Sequence, residues 1–72
     1  MLSIIIPTLN CRDDLARTLE AFSLRPAEWE IVVSDGGSED GTVEMAELAK
    51  VRTLIGNRGR GRQLSAGARA AH

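Results

Sequence analysis

Tyrosine is absent, and tryptophan and phenylalanine occur once each. So few rings leave no stacking platform of the kind that single-stranded nucleic acid uses. There is one cysteine, Cys11. It excludes an internal disulfide and a Cys-rich zinc site, and it fits a reducing compartment, so a cytoplasmic location is expected. No apolar run approaches the roughly 20 residues that a transmembrane helix needs. The run Leu2 to Ile6 lacks a basic leader and meets Pro7, so it reads as neither a span nor a signal peptide. Nor is there an excess of charge: the net value is -1, which removes any global attraction to nucleic acid or an anionic membrane.

What is present is the composition of a small folded domain, 43% hydrophobic and 26% charged over 72 residues. A chain of this length buries only about 60% of its unfolded surface, so its stability margin is thin. Residues 1-72 are read as one unit. Charge is unevenly spread, with Lys50, Arg52, Arg58, Arg60 and Arg62 gathered late in the chain and the acidic residues before them.

Leu2 to Ile6 is apolar and largely β-branched, as a strand buried on both faces requires, and Pro7 is expected to stop it. Asn10 is placed to cap a helix whose first turn carries Asp13 and Asp14 and whose apolar stripe is Leu15, Leu19 and Phe22. Glu30 to Ser34 reads as a second buried strand, followed by Asp35 and a glycine turn. Asp40 is the expected cap of a second helix from Gly41 to about Lys50, with Val43, Ala46 and Ala49 inward and Met45 or Leu48 flanking. Arg52 to Ile55 reads as a third strand and Gly56 to Arg62 as a loop. Gln63 to Ala71 reads as a third helix, with Leu64, Ala68 and Ala71 on its inner side. The order βαβαβα predicts an α/β fold with a parallel sheet and right-handed crossovers.

In such sheets ligands bind beyond the carboxyl ends of the strands. Three segments are expected there: Pro7-Thr8-Leu9-Asn10, Asp35-Gly36-Gly37-Ser38 and Asn57 to Arg62. They offer a hydroxyl, a carboxylate beside backbone donors, and guanidinium groups. That set suits a nucleoside diphosphate. Dinucleotide-binding and Walker-type phosphate loops are disfavoured, because no G-x-G-x-x-G follows the first strand and no Walker A pattern occurs.

Ser3-Ile-Ile-Ile-Pro-Thr-Leu-Asn10, Glu30-Ile-Val-Val-Ser-Asp-Gly-Gly-Ser-Glu-Asp-Gly-Thr42 and Asn57-Arg-Gly59 with Gly67 resemble, in order and spacing, the blocks that open family 2 glycosyltransferases. The segment Gly59-Arg-Gly-Arg-Gln-Leu64 is also similar to a bacterial subgroup encoded near radical-SAM or selenium-linked genes. The resemblance implies a GT-A, Rossmann-like nucleotide-binding domain, here its N-terminal part, and sugar transfer from a nucleoside diphosphate sugar with inversion. It implies that Pro7 and Thr8 border the base, that Asp35 accepts from the base, most often uracil, and that the backbone at Gly37 lies beside the nucleotide. Arg60 or Arg62 matches the basic residue near the diphosphate. It also implies a UDP-sugar donor, an acceptor the sequence does not name, peripheral membrane association of a longer protein, and a divalent cation (Mn or Mg).

Two departures accompany the match. Ser65 stands where many members have Asn. The D-x-D motif and the later catalytic carboxylate are absent, so the metal ligands are expected outside these residues and the 72 residues alone are expected to be inactive. A first strand left without its further neighbour is expected to self-associate. Two other readings compete: a binding-only or vestigial nucleotide fragment, and an RNA-binding module using the arginine-rich loop. Structural roles also compete residue by residue. Asp35 can close its own turn, Asp40 is a cap rather than a ligand, and Arg58, Arg60 and Arg62 can be a solvated loop. Trp29 is expected to pack at the sheet edge. His72, terminal and alone, is given no role.

Overall fold

The computed structural model describes residues 2-71, so His72 lies outside it. Three strands alternate with three helices: β1 (Leu2–Thr8), α1 (Arg12–Ala21), β2 (Trp29–Asp35), α2 (Thr42–Leu48), β3 (Arg52–Ile55) and α3 (Arg60–Ala70). The strands form one parallel sheet in the order β1-β2-β3. This is the expected Rossmann-like α/β arrangement.

Alternation along the strands sorts the apolar residues onto two faces. Ile4 and Ile6 of β1 lie in register with Ile31 and Val33 of β2, and all four pack with Leu15, Leu19 and Ala46 of α1 and α2. Ile5 and Val32, also in register, face the other way, and there α3 crosses β1 and β2. A Cβ on Gly67 would overlap Ile5 Cγ2, so α3 lies on β1 at a distance that only glycine permits. The doubly covered β2 carries the most buried run of the chain, Ile31 to Asp35.

Several local expectations are corrected. Pro7 does not end β1; it pairs with Ser34 inside the strand. The Thr8 carbonyl accepts from the Gly36 N–H, so the alternate residue, Pro7, turns its backbone to the outer edge, where a missing donor costs no ladder bond. Asn10 does not cap α1. Cys11 occupies that position without a side-chain bond, while Asn10 takes a left-handed φ of 49°. The amides of α1 are satisfied from the neighbouring loop instead. Thr42 Oγ1 accepts from Cys11 N and Asp40 Oδ2 from Arg12 N. Asp40 does serve α2, accepting from Thr42 N through Oδ1. One carboxylate therefore meets two helix starts.

Helix α2 is shorter than the periodicity suggested. Thr42 and Ala46 are buried, but Ala49 is exposed and Leu48 is 83% exposed. Helix α3 begins three residues early, at Arg60, because Gln63 N bonds Gly59 O and closes a turn there. Its inward residues are Gln63 and Gly67, not Leu64 and Ala68, which are exposed. Trp29 opens β2, half-buried at the sheet's amino end.

Candidate functional site

The carboxyl ends of β1, β2 and β3 lie side by side, since Thr8 pairs with Asp35 and Asp35 with Ile55. The loops that follow them meet at this edge. Gly36 N donates to Thr8 O and Gly56 N donates to Asp35 O, both at 2.9 Å.

Asp35 organises the middle loop. Its side chain is buried, with the residue 1% exposed. Oδ1 accepts from Thr8 Oγ1 and Ser38 Oγ, each at 2.6 Å. Oδ2 accepts from Gly37 N at 2.9 Å and Ser38 N at 2.7 Å. Burial pushes the carboxyl up. The Ser38 hydroxyl and amide, the Thr8 hydroxyl and the Gly37 amide together outweigh it and hold Asp35 below the ordinary carboxylate value. In this conformation the hydrogen bonds that Asp35 accepts come from its own turn and from the Thr8 hydroxyl of β1.

The turn is locked to the first loop as well. Asn10 N donates to Ser38 Oγ, and Asn10 Oδ1 accepts from Glu39 N, both at 2.8 Å. Gly37 has a φ of 93°, the left-handed region that favours glycine, and space beside it is open. Gly36 is buried for a different reason. A Cβ there would come within 2.9 Å of Arg58 Cα and of Gln63 Oε1.

Gln63, which the sequence reading left without a function, joins all three loops. The residue is 6% exposed. Its Nε2 donates to Thr8 O at 2.9 Å and Ser34 O at 2.7 Å, and its Oε1 accepts from Gly59 N at 3.0 Å. The available signal was its spacing from Gly67. A glycine one turn along on the same face implies close helix-sheet approach, and a polar side chain above it must then be buried.

The arginines are separated by this side chain. Arg60 lines a recess of about 270 Å3 with Pro7, Thr8, Leu9, Cys11 and Gln63. Arg62 lines a groove of about 480 Å3 with Ser34, Asp35, Gly56, Asn57, Gly61, Gln63, Ser65, Ala66 and Arg69. The structure thus brings Pro7, Thr8 and Arg60 together, and Asp35 and Arg62 together, while Gly37 lines neither. A larger hollow of about 560 Å3 lies at the start of α1, but Asp13, Asp14 and Asp40 line it beside Arg12 and Arg17. Those carboxylates make it the weaker candidate for a phosphate ligand. Asp40 itself sits below the ordinary carboxylate value, held there by the Thr42 hydroxyl and the Arg12 amide.

Among the described residues no group of three or more His, Cys, Asp or Glu is placed to hold a metal ion. The residues present do not fit the divalent cation that the resemblance implies. No described helix is long and apolar enough to cross a membrane.

A parallel sheet covered on both faces, with three loops meeting at its carboxyl edge beside arginines, is a Rossmann-like α/β arrangement consistent with part of a GT-A domain. The chain matches glycosyl transferase family 2 over residues 3–72 and belongs to that family. It is a glycosyltransferase domain. No curated protein and no solved structure matches the chain.

Proposed function

We propose that these residues bind the nucleotide of a nucleoside diphosphate sugar, UDP-sugar in the first instance, in a transferase that inverts the anomeric centre. The observation that carries the reading is the convergence of the three strand-end loops on two hollows walled by arginines of α3, Arg60 in one and Arg62 with Arg69 in the other. Planar guanidinium groups match diphosphate oxygens, Pro7 and Thr8 border the recess of Arg60, and Gly37 leaves open space at the neighbouring turn for the base. Asp35 supports the site through the turn it holds rather than by direct contact. Arg60 is the stronger candidate for the diphosphate, because it shares its recess with Pro7 and Thr8.

In an inverting transfer the acceptor oxygen attacks the anomeric carbon as the bond to the diphosphate breaks, and a base takes the acceptor's proton. No described residue is assigned as that base, and none is assigned to a divalent cation. The 72 residues alone are therefore expected to bind and not to transfer. The outer edge of β1, unpaired among the described residues, supports self-association of this piece in isolation. Peripheral membrane association and a cytoplasmic location remain part of the proposal for the natural protein.

Calorimetric titration of UDP, with manganese, into the natural protein tests the reading. Binding that weakens in an Arg60→Ala variant and becomes less salt-dependent supports it. Absence of binding up to millimolar UDP removes it.

A further inference from the structure

We infer that Gln63 is the positioning residue of the nucleotide site, fixing the three strand-end loops against one another and setting the arginines on either side of itself. This rests on the nucleotide-binding reading above.

A glutamine amide carries two N–H donors and one carbonyl oxygen. Gln63 spends both donors on backbone carbonyls at the ends of different strands, Thr8 O of β1 and Ser34 O of β2. Its oxygen holds the Gly59 N–H, in the loop that follows β3. One planar group thus ties all three segments that form the hollows. No other natural side chain of this length presents two donors and an acceptor in that plane. Glutamate has no donor when ionised, and methionine has only a weak acceptor.

The amide also has no slack. It is buried, and a Cβ on Gly36 would press on its oxygen. Gln63 lines both the recess of Arg60 and the groove of Arg62, so it is the wall between them. Because Arg60 and Arg62 leave the same helical turn, moving Gln63 away from Thr8 O and Ser34 O moves both guanidinium stems relative to Thr8 and Asp35. Loss of this side chain should therefore reach the nucleotide through geometry, although Gln63 need not touch it.

The test uses the natural protein and UDP, at a temperature where each variant is folded by circular dichroism. Gln63→Met keeps the length and removes the polar bonds. It should weaken UDP binding by at least about tenfold and reduce its salt dependence. Gln63→Glu places an anionic oxygen against two carbonyls at neutral pH. Protonation restores an O–H donor, so its affinity for UDP should recover as pH falls from 8 towards 5 relative to the unaltered protein. A role confined to stability would lower the melting temperature and leave affinity and its pH profile unchanged, and that result overturns the assignment. Should both variants fail to fold, exchange of the Gly59 amide in the unaltered protein decides. UDP should slow it, and exchange indifferent to UDP overturns the assignment. Absence of UDP binding by the unaltered protein would instead remove the nucleotide reading, and the Gln63 assignment with it.

Discussion

Thr8 Oγ1 donates to Asp35 Oδ1 at 2.6 Å, a buried bond that joins the carboxyl ends of β1 and β2 across 27 residues of sequence. The two residues are also register partners in the sheet. Both side chains are buried, and each residue lines one of the two hollows. Asp35 thereby holds the turn that follows β2.

Asp35→Asn should destabilise the protein by about 2–3 kcal/mol, the scale of losing charge-assisted bonds in a buried place. An amide offers one oxygen to donors that now share two, and it turns an NH2 group towards the rest. Urea denaturation should show a lower midpoint with an unchanged slope. A midpoint equal to that of the unaltered protein would contradict the role given to this carboxylate.

The pH dependence of stability follows from the same bonds. Asp35 and Asp40 both lie below the ordinary value of 3.8 when folded. Their contribution is therefore complete above 3.8 and is lost as pH falls through the folded values. Acid titration of the melting temperature should show a drop below this point that is shallower in Asp35→Asn. Parallel curves would show that Asp35 is not linked to folding.

Gly67→Ala should cost about 1–3 kcal/mol, because its Cβ has no room against Ile5 Cγ2 and α3 must lift from β1. Ile5→Ala removes the obstructing methyl. The double variant should be more stable than the sum of the single losses predicts. Strict additivity in denaturation would place the two residues out of contact.

Gly36→Ala should disturb both folding and binding. The added methyl meets the backbone at Arg58 Cα, in the loop that leads into α3, and Gln63 Oε1 on α3 itself. UDP affinity should fall by about tenfold or more, and the denaturation midpoint should fall as well. Unchanged affinity would show that this loop is not part of the site.

β1 and β2 were legible in the sequence because their apolar residues fall on both faces, as strands of a doubly covered parallel sheet require. Helix ends were less legible. Asn10 has the composition of a cap, yet its side chain bonds Glu39 N, while α1 takes its caps from Asp40 and Thr42. Such partners lie some 30 residues away in sequence, and local spacing does not reveal them. The start of α3 was missed for a similar reason. Gly56 to Arg62 read as a loop because of its glycines, whereas the Gly59 carbonyl bonded to Gln63 N makes a helical turn from Arg60. The edge where the loops meet was foreseen correctly. The roles within it depend on where each side chain points, and for Asp35 that direction is inward.

The most direct test of the account is calorimetric titration of UDP, with manganese, into the natural protein and its Arg60→Ala and Arg62→Ala variants at two salt concentrations. The account predicts binding that weakens with salt and that falls further in Arg60→Ala than in Arg62→Ala. No heat of binding up to millimolar UDP, or affinity indifferent to both arginines, would contradict it.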